Sequence, residues 1–365
     1  MHHYTFVAEQ FISKGRILDV HEFGNGNIND TYLVTTDSNE ELHFVLQRIN
    51  TQVFKQPRLI MQNMRTFTEH MRRRAREEGH IWEMPRVLRT QDNQDFYLDG
   101  ENRFWRAISY VEGARSFDTI SNTGHAREVG HALGTFQHLI SDLPVETLAD
   151  TLEGFHITPG YIGQFDKIRS NNGFASSSEV RFALEFIAAR RDWAHVLEHA
   201  RRDGRLPLRP VHGDPKVNNV MIDEKTGRAI SLVDLDTVKP GLIHYDIGDC
   251  MRSGCNPLGE ETEHWESVCF EPEIGEAILT GYLTEARHFL SPADYEYLYD
   301  SIRLLAFELG VRFFTDHLAG NVYFKVKHPH HNLLRALVQF KLTESIEAHE
   351  PEIRRIVQSM VSRAV

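Results

Sequence analysis

Apolar and polar residues alternate over Thr31–Thr35 (TYLVT) and again through Leu42–Ile49 (LHFVLQRI), which predicts two strands of a half-buried sheet. A strand ending in His21-Glu22-Phe23 precedes them, and Gly24-Asn25-Gly26-Asn27 reads as the turn of a hairpin. Leu59–Arg74 carries Leu59, Ile60, Met64, Phe67 and Met71 at helical spacing. Further strands are expected over Pro85–Thr90, Asp95–Leu98 and Arg103–Val111, the last two joined through Asp99-Gly100. This half of the pattern is β-rich around a single helix.

Beyond about residue 112 the period becomes helical. Ser121–Leu143 places Val129, Leu133, Phe136, Leu139 and Ile140 on one face, and Ser178–Arg202 reads as one long helix stopped by Gly204. Ser291-Pro292 supplies an N-cap and a first-turn proline for a helix running to His317. Strands return only at Leu208–Val211 and in a hairpin, Val220–Ile222 with Ile230–Val233, across Glu224–Gly227. The expected architecture is α+β and bilobal: a small antiparallel-sheet lobe over 1–111, a mainly helical lobe over 112–365, and a hinge near Ser109–Gly113.

Composition narrows the function classes. The net charge of −12 argues against a general nucleic-acid or acidic-membrane binder and suits work on a small molecule. No apolar run approaches the ~20 residues that cross a bilayer, and no secretory signal is visible. Three cysteines, Cys250, Cys255 and Cys269, fit a reducing cytoplasm rather than a disulfide framework and lack the close pair of a zinc site. No obligate protein partner is evident.

The chemistry concentrates in Val211–Val220 (VHGDPKVNNV), followed by Val233-Asp234-Leu235-Asp236. An Asp, an Asn five residues later and a second Asp behind a strand form the pattern of a kinase catalytic loop and its metal turn. Asp214 would orient the attacking hydroxyl or take its proton. Asn219 and Asp234 would hold magnesium, which needs few protein oxygens beside phosphate and water. Lys216 could face the transferring phosphoryl group, and Asp236 would point to the same side as Asp234. Backbone N–H groups of Gly24, Asn25, Gly26 and Asn27 could cover ATP phosphates, with adenine at the hinge around Ser109–Glu112, near Tyr110 and Glu112. A bare HGD triplet would be an ordinary turn; the full spacing with strands in place favours chemistry. Protein kinases carry a Lys on the third strand, paired to a helix Glu. Here Gln47 takes the Lys position, Arg48 points to the opposite face, and Glu69 is the only acid in Leu59–Arg74. The Arg72-Arg73-Arg74 run reads as a solvated helix face, Glu260–Glu266 as surface, and His328-Pro329-His330-His331 as no metal cluster.

GNGNINDTYLVTT, FVLQRIN, VHGDPKVNNVMID, VDLDTVKPG and VRFFTDHLAGNVYF resemble the corresponding stretches of the aminoglycoside-phosphotransferase and choline-kinase class, and more closely the N-acetylhexosamine 1-kinases. The resemblance implies a protein-kinase-like fold and ATP- and magnesium-dependent phosphorylation of the anomeric hydroxyl of a small sugar, GlcNAc or GalNAc. It places Asp214 as base, Asn219 and Asp234 on the metal, and Arg312 and Tyr323 on the sugar. By spacing rather than resemblance, Asp236 is a candidate for the metal or substrate site or else a structural acid, and Asp316, one helical turn after Arg312, would orient it or pair with it. The resemblance also implies that Gln47 is a feature of the subfamily. Two other readings stand beside it. One keeps the fold and changes the acceptor to an aminoglycoside, a choline- or homoserine-like alcohol or another sugar. The other, prompted by Gln47, is a nucleotide-binding regulatory protein without transfer activity.

Overall fold

The computed structural model describes residues 2–24, 26, 28–171 and 177–364. The N-terminal lobe begins with helix α1 (His2–Glu9), followed by strands β1 (Ile17–Glu22), β2 (Asp30–Thr36) and β3 (His43–Arg48), helix α2 (Pro57–Glu78), and strands β4 (Val87–Leu88), β5 (Tyr97–Leu98) and β6 (Phe104–Ser109). The strands form one antiparallel sheet in the order β1-β2-β3-β6-β4, with β5 on β6. Its register sets Thr31 opposite Gln47 and Gln47 opposite Arg106. Opposed residues project to the same face of a sheet, so these three side chains meet.

Helix α1 corrects the expectation of a single helix here. Tyr4, Val7, Ala8 and Phe11 follow helical spacing, and Val7 and Ala8 are fully buried against Tyr32, Phe44 and Trp105. Helix α2 starts with a proline in its first turn, buries Ile60, Met61, Met64, Phe67, Met71 and Ala75, and ends at left-handed Gly79. The solvated face expected at Arg72–Arg74 holds for Arg73 and is corrected at Arg74. Arg74 donates to Glu78, Asp142 and the His138 carbonyl, tying α2 to the next helix.

The second lobe runs through β7 (Ala114–Arg115), α3 (Thr123–Ile140), α4 (Thr158–Asn171), α5 (Ser178–Arg190), α6 (Val196–Arg202), β8 (Arg209–Val211), β9 (Val220–Asp223), β10 (Ala229–Leu232), β11 (Lys239–Gly241), α7 (Ile243–Gly254), α8 (Pro272–Ala286), α9 (Pro292–Glu296), α10 (Leu298–Leu318), α11 (His331–Ala348) and α12 (Glu350–Ala364). The β9–β10 hairpin is joined by β7, and β8 pairs with β11. Helices α3 and α8 touch backbone to backbone: a Cβ on Gly281 would overlap the Arg127 carbonyl, and one on Gly130 the Ile278 carbonyl.

Two long helices expected from periodicity are interrupted. Ser178–Arg202 breaks into α5 and α6 across a 3-10 turn, Arg191–His195, where Trp193 packs on Phe307 beneath Arg303 and Arg191 pairs with Asp166. Ser291 caps its helix with a complete capping box. The helix is interrupted at Tyr297, whose hydroxyl accepts from Arg205, and resumes as α10. No helix among the described residues is long and apolar enough to cross a membrane.

Candidate active site

β8 delivers the chain into the loop 212–219, whose shape is held from below by α7. Gly213 sits at φ +87°, where a Cβ would lie 2.8 Å from the Thr237 carbonyl oxygen, so only glycine fits. The Asp246 carboxylate accepts from the backbone N–H groups of His212 (2.9 Å) and Gly213 (2.7 Å) and from Gln137 Nε2 (2.9 Å), and Gln137 in turn accepts from the Tyr282 hydroxyl (2.7 Å). Burial raises the Asp246 pKa against these bonds. His212 Nε2–H donates to the Val233 carbonyl at 3.1 Å, and its Nδ1 accepts from Asp214 N–H at 3.2 Å. One tautomer therefore serves both bonds, and burial keeps this ring neutral by lowering its pKa.

Asp214 projects half-buried into the cleft, and its carboxylate lies 3.0 Å from Lys216 Nζ. Burial works against the Lys216 charge, but Asp214, Asp234 and Glu260 more than offset it, so the ammonium stays protonated. Asn219 Nδ2 donates to the Asp214 carbonyl at 2.7 Å. That bond fixes the amide orientation and leaves Oδ1 as the free acceptor. Asp234 adopts the left-handed conformation, φ 63°, a shape Asp tolerates better than most residues, and is open to solvent. Although solvent reaches the side chain, the protein packed around it pushes its pKa up to about 6, through partial desolvation and then repulsion from Asp214 and Asp236, with Lys216 and Arg106 opposing. Carboxylates gathered without a full complement of cations suit a magnesium ion, and the donors offered are the oxygens it prefers. Asp214, Lys216, Asn219 and Asp234 are thus brought together as the spacing predicted.

The face above is built differently from expectation. Gly24 has φ +74°, Gly26 offers its carbonyl to Lys325 Nζ at 3.4 Å, and Asn25 and Asn27 lie outside the described residues. Gln47 does not hold a free amide toward phosphate. Its Oε1 accepts from Arg106 Nε (2.9 Å) and Nη2 (2.6 Å), and its Nε2 donates to Thr31 Oγ1 at 3.1 Å. The expectation that Asp236 reaches the metal or substrate is corrected in favour of its other reading, a structural acid. Its side chain is 2% exposed, paired to Arg106, and accepts from Asn29 Nδ2 at 2.6 Å. Tyr110 packs edge-on against Phe23 and His43, and Glu112 pairs with His43 at 2.7 Å. Both line a cavity of about 720 Å³ shared with Arg72 and Arg76 of α2 rather than with the Asp214 loop.

Across the cleft, α10 carries Arg312. Its guanidinium carbon lies 5.0 Å from the Phe155 ring, 5.1 Å from Tyr161 and 5.6 Å from Phe324. Burial disfavours its charge, but Tyr161, Tyr323, Glu308 and Asp214 hold it, so Asp214 and Arg312 sense each other electrostatically. Asp316 does not orient Arg312 as expected. Its carboxylate accepts from the backbone N–H groups of Val322 (2.9 Å), Tyr323 (2.8 Å) and Phe324 (3.0 Å), shaping the loop that presents Tyr323, itself 41% exposed. The Glu260–Glu266 stretch is not merely surface, since Glu261 pairs with Lys327, His331 and Arg335 and so anchors the end of this loop.

Several residues escaped the sequence reading. Asp246 had only a weak signal, an acid among Ile243, Tyr245, Ile247 and Met251 on a helix that also carries His244, Asp249 and Arg252. His156 and Glu308 had none. His156 donates Nε2–H to the Gly213 carbonyl at 2.7 Å and binds Glu308 through Nδ1 at 2.8 Å, while Thr158 Oγ1 donates to the other Glu308 oxygen. This pair joins the catalytic loop to the helix bearing Arg312.

A family model described as "Phosphotransferase enzyme family" matches residues 19–292. Among solved structures, a microcompartment-associated aminopropanol kinase superposes with a TM-score of 0.65 at 15% identity, covering 97% of this chain and 98% of that one. Choline kinase from Cryptosporidium parvum Iowa II gives 0.55 at 13%, covering 99% and 96%. The GDP complex of aminoglycoside 2'-phosphotransferase-IIIa gives 0.52 at 14%, covering 97% and 98%. At these identities the likeness shows the protein-kinase-like fold.

Proposed function

Starting from a chain that belongs to the phosphotransferase enzyme family and is thereby a small-molecule kinase, we propose that it phosphorylates the anomeric hydroxyl of an N-acetylhexosamine with ATP and magnesium. The observation that carries the choice of acceptor is Arg312: a guanidinium ringed by Phe155, Tyr161 and Phe324, in electrostatic reach of Asp214, and without a hydrogen-bond partner among the described residues. A planar fork of donors suits sugar hydroxyls and an amide carbonyl. A fixed cation at that wall repels the ammonium group that an aminopropanol or choline acceptor would bring. Tyr323 adds an aromatic face with a polar tip.

Residues 1–111 would hold the nucleotide and residues 112–365 the acceptor, with the ATP phosphates near Gly24 and Gly26. Asn219 Oδ1 and the Asp234 carboxylate would hold magnesium, which when bound supplies charge neutralisation across the phosphates. Asp214 orients the sugar hydroxyl. As the oxygen bonds to the γ-phosphorus and the bond to ADP breaks, the hydroxyl proton passes to Asp214. Lys216, kept charged by its acidic neighbours, faces the phosphoryl oxygens. Three free thiols, two of them buried, suit a reducing cytoplasm.

An ADP-release assay over N-acetylglucosamine, N-acetylgalactosamine, glucosamine, choline, ethanolamine and kanamycin tests the acceptor, with phosphorus NMR to locate the product phosphate. The expected result is turnover of the N-acetylated sugars with phosphate on the anomeric carbon. Preference for an amine-bearing alcohol would overturn it.

A further inference from the structure

The third strand lacks the cation that kinase clefts place there. Glu69, the acid noted on α2, is 65% exposed, 3.7 Å from Arg65, and so faces solvent. The register of the sheet nonetheless puts a cation at the same spot, because Gln47 on β3 stands opposite Arg106 on β6. The Arg106 side chain is 1% exposed. Its Nε and Nη2 hold the Gln47 amide oxygen, and its Nη1 pairs with Asp236, which itself accepts from Asn29. Asn29 Oδ1 in turn accepts from Asn50 N–H at 2.9 Å. Asp236 lies two residues beyond Asp234 and belongs to the second lobe, while Arg106, Gln47, Asn29 and Asn50 belong to the first.

From this geometry we infer that Arg106 is a positioning residue for the metal turn: it supplies, from the neighbouring strand, the buried cation missing at Gln47, and through Asp236 it locks the first lobe onto the turn that presents Asp234. Gln47 is then the spacer that aims the guanidinium. A lysine at 47 would collide electrostatically with Arg106, so the two arrangements exclude each other. The left-handed Asp234 is held because the residue two positions on is clamped from above. The inference rests on the reading of this cleft as a magnesium–nucleotide site.

The test needs no acceptor. Binding of a non-hydrolysable ATP analogue is measured by calorimetry with and without magnesium, for the full-length protein and for the double variant Arg106→Met/Asp236→Asn. Removing both charges together leaves no uncompensated ion in the core, so the double variant folds where Arg106→Met alone can fail; thermal melting checks this. The wild-type protein is expected to bind more tightly with magnesium. The double variant should lose that magnesium-dependent gain by about tenfold or more, the scale seen when residues supporting a metal ligand are removed, while magnesium-free binding stays within about twofold. Adding Gln47→Lys to the double variant should recover part of the gain. A folded double variant that keeps the gain to within less than tenfold overturns the inference. A wild-type protein that shows no magnesium-dependent binding overturns instead the reading of the cleft on which it rests.

Discussion

The two ends of the cleft are built on opposite principles. At the Asp214 end the backbone of the turn is tied down by side chains: Asp246 accepts from the His212 and Gly213 N–H groups, His212 accepts from Asp214 N–H, and Asn219 donates to the Asp214 carbonyl. At the Arg312 end the central cation is surrounded by ring faces and makes no hydrogen bond among the described residues. Transfer chemistry is the same for every acceptor, so its groups can be fixed in advance. Recognition needs unmet polar groups that only the right acceptor satisfies, because leaving them unpaired penalises the wrong one.

The comparison breaks first, and hardest, at Asp214. Asp214→Asn should lower kcat by roughly 10²–10⁴-fold, the usual weight of a general base, with an unchanged melting temperature; normal turnover in a steady-state assay would remove Asp214 from its role. Next comes the clamp. Asp246→Ala orphans two buried N–H groups and Gln137, at about 1–3 kcal/mol per group, so urea denaturation should show a loss of several kcal/mol with kcat falling alongside. A variant with intact stability would mean the loop holds its own shape. At the other end the effect should split differently. Arg312→Lys keeps the charge but loses the fork, and should raise the acceptor KM by roughly tenfold (about 1.4 kcal/mol) with ATP KM unaltered. A fall confined to kcat would place Arg312 in the chemistry instead.

The smallest effect probes the link between the ends, the His156–Glu308 pair. Burial opposes the His156 charge, but Glu308 raises its pKa above the ordinary 6.5, and the pair lowers that of Glu308 below 4.5. A raised histidine stabilises fully below its unfolded value and loses that contribution as pH rises through the folded one. A lowered glutamate stabilises above its unfolded value and loses it as pH falls. Thermal stability should therefore carry a component that is present around pH 5–6.5 and declines on both sides. Glu308→Gln should flatten that component in melting curves taken across pH; an unaltered profile would show the pair to be neutral.

Legibility followed chain separation. The first-lobe strands, the β9–β10 hairpin, the α2 face and the Asp214–Asp234 spacing were readable because their periods and turns act within a few residues; the short β7 and β11, each paired with a strand distant in sequence or across the loop, were missed. The break at Arg191–His195 was not, because Trp193 is drawn out of the helix by Phe307 and Arg303, more than a hundred positions away. Asp316 was assigned to Arg312 on helical spacing, yet nearby backbone N–H groups in the following loop outcompete a guanidinium already embraced by aromatic rings.

Gln47 shows most sharply where the boundary falls. Its own identity, and the absence of a lysine on that strand, are properties of the sequence alone, as is the spacing of Asp214, Asn219 and Asp234. What occupies the vacated electrostatic position was decided by strand register, which sets Arg106 opposite Gln47 across fifty-nine positions of chain, and by lobe packing, which brings Asp236 to Arg106. A buried charge must find its counter-charge wherever the fold delivers it, and that address is written in three dimensions.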